Sequence, residues 1–405
     1  MTDTVARPGK IEATAMMIAL LASLMALGQF ATNVYLPSLP TIRDQFASND
    51  TMAQLTLTAY LIGFAVMQLF YGPVSDRFGR RPLLIYGTFV FTLGSLVCVL
   101  APSMEILIAG RVTQAVGAAA SLVVARAVVR DSFDGNQLQR VMALVSMFFA
   151  LVPGMSPFIG GLIEEYAGWR WIFALTGLAG VVVLVWMMRR IPETLKTPMP
   201  RLDLSSVFVG YGAVLRSAHF RRYALANAFI FGAMFAFFGG SPKVYIEVLG
   251  VTPKEFGFYP PLASVGFVIG GFTVSKLTGR VSSVTICNLG LAVLIIGTAI
   301  SVVLPLSGII HKHGFNLAIV IFVSGLGIFL PTAMANALQT FPERAGTASA
   351  MMGFLQMAGA ATGSALVGLY QEQAPVLTYP VVMLAMTLAA TFVFVVEGRQ
   401  RAPTG

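Results

Sequence analysis

Charged residues are scarce in this sequence. They make up 11% of its 405 residues, whereas a soluble domain carries about 25%, and 57% of the chain is hydrophobic. A soluble fold must present a wetted surface, so this composition excludes a soluble enzyme, a nucleic-acid-binding protein and a disordered scaffold. The length also leaves no room for a separate soluble body beside a small membrane anchor.

Cysteine and histidine are equally scarce. Cys98 and Cys287 lie in apolar runs and offer neither a disulfide framework nor a metal-binding cluster. The three histidines are scattered outside the runs: His219, His311 and His313. A membrane enzyme needs grouped His, Asp, Glu or Cys side chains near the membrane face, and the sequence shows no such group. We therefore expect no cofactor and no metal, and an enzyme or receptor is the least favoured class.

Twelve apolar runs are long enough to cross a bilayer, which takes roughly 20 helical residues. The spacers are short except for residues 189–221, which end in a weakly amphipathic stretch. The pattern predicts an all-α membrane protein with twelve transmembrane helices in two six-helix bundles, residues 1–188 and 222–405, joined by a cytoplasmic linker. The first run is too long for a secretory signal. The runs occupy about 15–38, 53–73, 82–101, 105–127, 138–162, 169–188, 222–240, 257–275, 284–304, 315–338, 346–369 and 376–396.

The basic residues are distributed unevenly between the loops. The side with both termini and the linker receives 20 of the 26 Lys and Arg residues, the other side receives five, and Arg111 lies within a span. Because positively charged loops stay in the cytoplasm, we expect both termini there, in a multi-pass protein of a bacterial inner membrane. Topology thus explains the net charge of +9, and we expect no nucleic-acid partner.

Two equivalent loops share a pattern. GPVSDRFGRR at residues 72–81 follows span 2, and FTVSKLTGRV at residues 272–281 follows span 8. Val-Ser, three residues and Gly-Arg recur in both, which predicts a duplicated six-span unit with pseudo-twofold symmetry. Transporters built from such repeats hold their substrate between the halves, near the membrane midplane. A shared basic loop without common ancestry is the alternative.

The loop GPVSDRFGRR resembles the signature of the major facilitator superfamily of transporters. Gly72 and Gly79 permit a sharp turn, and Asp76 can pair with Arg77 or with a neighbouring helix N-terminus. The resemblance implies that this cluster latches the two halves in one state, with Asp131 of span 4 as its acidic partner. A solvated turn with ordinary ion pairs is the alternative. The matching positions are Gly72, Asp76, Arg77, Gly79, Arg80 and Arg81.

Span 4 contains the buried cation Arg111, roughly 9 Å from its outer edge at 1.5 Å per residue. A charge at this depth is costly and must face protein or water. The stretch LIAGRVTQ resembles the span-4 arginine motif of the superfamily, with Arg111 and Gln114 in the matching places. The resemblance implies a functional role for both residues. A structural arginine that snorkels to the surface is the alternative.

Span 5 reads ALVPGMSPFIGG and resembles the antiporter motif of drug exporters in the superfamily. Prolines at these positions free backbone carbonyls and kink a helix. Ser156 departs from the usual Gly-Pro dipeptide, and a merely kinked gating helix is the alternative. The motif residues are Pro153, Pro157, Gly160 and Gly161.

A closer resemblance is to drug/proton antiporters of the bicyclomycin-resistance (Bcr/CflA) type. VYLPSLP after span 1, SPKVYIEVLGVTPKEFGFY after span 7 and FPERAGTASAMMG before span 11 carry it. It implies export of drug-like molecules by alternating access, in exchange for protons. Such antiporters have an aspartate where this chain has Asn33, and no carboxylate lies at mid-membrane here. The alternative is a carrier or facilitator of a metabolite, siderophore or other neutral or anionic solute, without proton coupling through span 1.

The partners expected are a small-molecule substrate, protons and lipid, for a protein that works as a monomer. Amide side chains are costly to expose to lipid, so those that share one face of a helix are expected to point into the bundle. Together they predict a binding site between the helices. A cavity with Arg111 and no buried acid is net positive, which favours neutral or anionic ligands. The predicted substrate-binding residues are Asn33, Tyr60, Arg111, Gln114, Asn227, Phe231, Phe235, Asn336 and Gln356.

Overall fold

The computed structural model describes residues 14–197, 199, 204–341 and 344–399. The chain termini and residues 198, 200–203 and 342–343 lie outside this description. Helices account for all long elements of the described part. They are α1 (Ala15–Asn33), α2 (Leu39–Gln45), α3 (Asp50–Phe78), α4 (Arg80–Leu100), α5 (Met104–Ser132), α6 (Gly135–Ala167), α7 (Trp169–Arg190), α8 (Leu204–Arg216), α9 (Ala218–Pro242), α10 (Pro253–Phe256), α11 (Tyr259–Leu277), α12 (Ser283–Leu306), α13 (Lys312–Gln339), α14 (Ala345–Tyr370) and α15 (Thr378–Arg399).

Twelve of these helices correspond to the twelve predicted spans. Within the described residues, 11 helical segments are long and apolar enough to cross a membrane. The remaining predicted span is α6, a helix of 33 residues. The helices α2, α8 and α10 are shorter additions between the spans, and a π-helical turn at Lys243–Val248 extends α9. The predicted all-helical membrane fold is therefore confirmed.

Capping residues in the loops set where several spans begin. The Asn49 side chain accepts a hydrogen bond from the Met52 amide at the start of α3 (2.8 Å). Ser103 accepts one from the Ile106 amide at the start of α5 (3.5 Å). Such caps satisfy amide groups that a helix leaves free in its first turn. The polar caps therefore mark the ends of the spans, and the apolar residues between them remain for the bilayer.

Most buried apolar side chains form two clusters. One lies mainly among residues 20–191 and the other among residues 211–394, so their boundary falls in the predicted linker. The halves contact each other mainly in two places: α3 packs on α14, and α6 packs on α10 and α11. Phe235 and Met357 of the second half also join the first cluster. The interface between the halves is therefore partly apolar.

Close helix packing recurs at equivalent places in the two halves. A Cβ on Gly94 of α4 would lie 2.9 Å from the carbonyl oxygen of Gly110 on α5. A Cβ on Gly290 of α12 would lie 2.9 Å from the Cβ of Phe329 on α13. Small residues let helix backbones approach closely in membranes, where packing replaces the hydrophobic effect. Spans 3 and 4 of the first half thus pack like spans 9 and 10 of the second.

The bundle has two ends, which we name for reference. The linker face is the end at which α7 ends and α9 begins, and the far face is the opposite end. The linker helix α8 packs at the linker face, where the Tyr211 hydroxyl donates a hydrogen bond to the Leu69 carbonyl oxygen of α3 (2.7 Å). Since α8 also packs against α14 and α9 of the second half, the linker is tied to both halves of the bundle.

Candidate functional site

The far face is closed by a cluster of ion pairs between the halves. Arg43 of α2 binds Asp50 (2.7 Å) and Glu247 (3.0 Å), and Lys243 pairs with the second oxygen of Asp50. Arg43 and Asp50 belong to the first half, and Lys243 and Glu247 to the second. The Asp50 side chain is only 6% exposed. These four residues are called the far-face cluster below.

Hydrogen bonds continue this closure along α3 and α14. Thr51 donates from its hydroxyl to the Gly368 carbonyl oxygen (2.7 Å), and Gln54 donates to the Ser364 hydroxyl (2.8 Å). Sequence reasoning missed the far-face cluster and these bonds. The sequence did contain a signal for this cluster, namely the few charged residues in the loops of the far face. Sequence reasoning used them only to assign the topology.

The predicted antiporter-motif helix α6 forms the second contact at the far face. Pro153 and Pro157 lie inside this helix. A Cβ on Gly160 would overlap the Val34 carbonyl oxygen, and a Cβ on Gly161 would overlap the Pro253 carbonyl oxygen of α10. Gly160 therefore permits packing within the first half, whereas Gly161 permits contact with the second half.

The predicted latch residues form an ion-pair network inside the first half. Arg80 of α4 binds Asp76 of α3 (2.5 Å) and Asp131 of α5 (2.9 Å), and it also contacts the Ser75 hydroxyl. Arg77 forms no ion pair with the described residues, and its guanidinium donates to the Met199 carbonyl oxygen of the linker (2.7 Å). The network joins three helices of one half, so its action as a latch between the halves stays a prediction.

The two glycines of the signature differ in their roles. Gly79 adopts φ +99°, a left-handed conformation that favours glycine, and forms the turn between α3 and α4. Gly72 lies within α3, and a Cβ there would meet nothing within 4 Å. The Glu193 carboxylate caps α4 by accepting bonds from the Arg80 amide (3.0 Å) and the Arg81 amide (3.1 Å). The predicted turn therefore requires Gly79 alone.

Arg111 of α5 is enclosed within the first half and is 0% exposed. Its guanidinium carbon lies 4.3 Å from the ring centroid of Tyr35 and 4.1 Å from that of Tyr60. Its Nη1 donates to the Ala31 carbonyl oxygen (3.1 Å) and to the Gln114 side chain (2.5 Å). Aromatic faces and carbonyl oxygens stabilise a cation without neutralising it. Among the described residues, no carboxylate pairs with this arginine.

Gln114 extends the network around Arg111. Its amide nitrogen donates to the Ser95 hydroxyl (2.8 Å) and to the Thr176 hydroxyl (3.4 Å). The Nε and Nη2 atoms of Arg111 are buried without a hydrogen-bond partner in the described chain. The structure thus brings together the predicted residues Tyr60, Arg111 and Gln114, within the bundle rather than at its surface.

Asn33 is also fully buried in the first half. Its Nδ2 donates to the Gln29 carbonyl oxygen one turn earlier (2.8 Å), and its Oδ1 is buried with no partner in the described residues. Tyr35, two residues later, is the stacking ring that sequence reasoning missed, although the VYLP stretch around it carried the family resemblance. The amide that replaces the usual aspartate therefore lies close in sequence to the aromatic cage of the arginine.

The predicted residues of the second half fall into two places. Gln356 of α14 donates to the Asn227 side chain of α9 (3.0 Å). Phe235 is fully buried and Phe231 is half-buried on α9, and both pack against the first-half cluster. Asn336 lies apart, near the linker-face end of α13. The structure does not bring Asn336 together with the other predicted residues.

At the linker face, the halves are separated by a cavity of about 440 Å³. It lies between α3 and α5 of the first half and α8 and α14 on the other side, and Arg126, Arg130 and Arg344 line it. The bundle is thus closed at the far face and hollow at the linker face. Two membrane-spanning halves arranged in this way define a secondary transporter that works by alternating access.

The comparisons with known proteins agree with this class. The chain belongs to the Major Facilitator Superfamily, whose family model matches residues 18–364. An uncharacterized MFS-type transporter, YdgK of Bacillus subtilis (strain 168), is 33% identical over 88% of this chain and 89% of its own. The bicyclomycin resistance protein homolog of Haemophilus influenzae is 31% identical over 90% and 92%. The resemblance to the Bcr/CflA type, and to transporters rather than enzymes, is therefore confirmed.

Solved structures show the same fold at low sequence identity. A bacterial homolog of the human lysosomal transporter Spinster, in an inward-facing and unoccupied conformation, gives a TM-score of 0.73. It is 16% identical, and the match covers 96% of both chains. The likeness supports the twelve-helix architecture and carries no information on the substrate of this chain.

Proposed function

We propose that this protein exports small drug-like molecules from a bacterial cell across the inner membrane, in exchange for protons. The observation that carries the proposal is the asymmetry of the bundle: four ion-paired residues close the far face, whereas a cavity separates the halves at the linker face. Relatives named for bicyclomycin, chloramphenicol and multidrug resistance support a drug-like cargo. A single chain suffices for this cycle, so we propose a monomer.

The proposed orientation places the linker face in the cytoplasm. The linker face carries most of the basic residues of the chain, and positively charged loops stay on the cytoplasmic side. Both termini are placed on the same side, although residues 1–13 and 400–405 lie outside the described part. In this orientation the cavity opens toward the cytoplasm, which is the state that loads a cargo for export.

Two groups of buried or half-buried polar residues are the proposed substrate contacts. Arg111 with Gln114 lies in the first half, and Asn227 with Gln356 in the second. Arg111 is fully buried with the Tyr35 and Tyr60 rings against its guanidinium, so direct contact with a substrate requires neighbouring side chains to move. The half-buried ring of Phe231 lies at the interface between the halves. A cargo that inserts there must first part the apolar side chains between the two halves, and only then reaches the polar groups.

A second candidate function follows from Asn33. An amide hydrogen-bonds but does not titrate, so the usual proton carrier of span 1 is missing. Its Oδ1 is buried and unpaired among the described residues. This oxygen can therefore accept a hydrogen bond from an uncharged donor group of a solute. This observation favours a carrier or facilitator of a neutral or anionic solute, without proton coupling through span 1.

Transport into everted membrane vesicles tests both functions. If the protein is an antiporter, adding chloramphenicol to energised vesicles releases protons from the lumen in proportion to uptake. Uptake that continues unchanged after the proton gradient is collapsed would support the facilitator. Arg111→Ala should abolish uptake in either case, with Thr113→Ala as the control, because Thr113 lies on the exposed side of α5. Normal uptake by Arg111→Ala would remove this residue from the proposed site.

A further inference from the structure

The cavity at the linker face is lined by an excess of positive charge. Arg126 and Arg130 of α5 project into it from the first half, and Arg344 lies on the opposite wall just before α14. Arg80 also lines the cavity, but it is engaged by Asp76 and Asp131. We call this cavity the vestibule.

Three of these arginines have no counter-charge in the described structure. Arg126, Arg130 and Arg344 form neither an ion pair nor a side-chain hydrogen bond with any described residue. Asp76 is the one acidic residue among the described residues of the lining, and it already pairs with Arg80. Like charges one helical turn apart, such as those on α5, repel each other unless an anion lies between or beside them.

The α14 N-terminus adds partial positive charge to the same wall. The helix has 26 residues, begins at Ala345 and has no side-chain cap. Gly346 and Thr347 of its first turn line the vestibule. Amide groups at an uncapped helix N-terminus point at the space before it and favour an anion there. The arginines and the helix end therefore converge on one space.

A mostly buried glutamine side chain lines the same space. The Gln68 side chain of α3 lines the vestibule, is only 3% exposed and forms no hydrogen bond with any described residue. Its amide is therefore available to donate a hydrogen bond to an anion in the vestibule. The Tyr211 phenol at the other wall is neutral at neutral pH, and burial raises its pKa further, to about 12. The wall therefore holds no hidden negative charge at this residue.

We propose that the vestibule binds an oxyanion, namely a carboxylate or a phosphate group. Arg126 of the first half holds it on one side, and Arg344 and the α14 N-terminus hold it on the other. Guanidinium groups form paired hydrogen bonds with such anions and recognise their planar oxygens. The site goes beyond the proposed export of drugs, since it lies at the linker face and shares no residue with the proposed substrate contacts. The oxyanion belongs either to a free solute or to the headgroup of an anionic phospholipid.

Calorimetric titration of the purified full-length protein tests this site. The protein is placed in nanodiscs of phosphatidylcholine and titrated with inorganic phosphate at constant ionic strength. Arg126→Gln and Arg344→Gln should each weaken binding about tenfold or more, the effect of losing one charge-assisted hydrogen bond. Arg140→Gln is the control, because Arg140 is exposed at the start of α6 and does not line the vestibule. Thermal unfolding of each variant verifies that it is folded.

A second set of nanodiscs distinguishes the two sources. If the headgroup of phosphatidylglycerol occupies the site, nanodiscs that contain this lipid should abolish phosphate binding by the wild type. If phosphate binds equally well in both kinds of nanodisc, the oxyanion belongs to a free solute. The proposal is overturned if folded Arg126→Gln and Arg344→Gln bind phosphate like the wild type, or if the wild type does not bind phosphate in phosphatidylcholine nanodiscs.

Discussion

Replacing Gly257 with alanine tests whether contact at the far face controls which state the transporter occupies. Gly257 follows α10 in the second half, and its φ of −58° is compatible with alanine. A Cβ at this position would lie 2.8 Å from both the Phe158 Cα and the Pro157 carbonyl oxygen of α6. Ordinary contacts begin at 3.4 Å, so the two backbones must separate by the difference, about 0.6 Å.

The cost of this overlap falls on one conformation only. Overpacking of this kind typically destabilises a structure by roughly 1–3 kcal/mol, and here it is relieved when the halves part at the far face. Because 1.4 kcal/mol is a factor of ten, the equilibrium should shift roughly 5- to 150-fold toward the state open at the far face. The expected result is a transporter that remains folded but spends less time closed at this face.

Distance measurements between spin labels can detect this shift. Labels at Ser48→Cys in the first half and Gln373→Cys in the second half report the far-face opening, while the native cysteines are buried. Gly290→Ala is the matched control, since its Cβ would meet Phe329 at 2.9 Å within one half. It should lower the unfolding temperature without lengthening the distance. If Gly257→Ala behaves like this control, the reasoning is refuted.

Four other substitutions, one of them a matched control, have distinct expected outcomes. Lys243→Ala leaves Asp50 with one cation at a buried site, so the same labels should move apart; unchanged distances would show that the far-face cluster does not hold the halves together. Arg111→Lys loses the stack between two tyrosine rings, about 1–2 kcal/mol in thermal or chemical unfolding, and equal stability would contradict the cage. Gly79→Ala should reduce stability by more than about 1 kcal/mol because of its positive φ, whereas Gly72→Ala, with free space around its Cβ, should remain near wild type.

The bilayer explains why so much of the fold was predictable from the sequence. A fixed apolar thickness imposes a minimum run length, so the twelve runs mark twelve helices. The ends were less predictable, because helices continue beyond the apolar region: span 2 was expected at 53–73, and α3 covers 50–78. Capping residues and ion pairs, rather than hydropathy, determine those last turns.

The site was predictable only where its residues are close in sequence or share a recognised motif. Arg111 and Gln114 are one helical turn apart, so their contact follows from helical spacing. Arg43 and Glu247 are 204 positions apart, and no periodic pattern in a single sequence pairs two charges across that distance. The far-face cluster therefore required the tertiary structure, as did the aromatic cage of Arg111.

The charges along the described path lead to a final prediction about the cargo. Arg126 and Arg344 line the entry at the linker face, Arg111 lies buried deeper, and each lacks a carboxylate partner in the described residues. A cationic compound must approach these groups against their repulsion, whereas an anionic or neutral one need not. Salt screens charges over about 8–10 Å, so high salt should reduce the difference at the exposed entry.

Uptake by everted vesicles, compared for cationic, neutral and anionic dyes of similar size, measures this preference. At low salt, the anionic and neutral dyes should be transported faster than the cationic dye, and Arg126→Gln should narrow the gap because it removes one positive charge at the entry. Arg140→Gln, which leaves the vestibule intact, should preserve the gap. Equal transport of the cationic dye by the wild type at low salt would show that these arginines do not select the cargo.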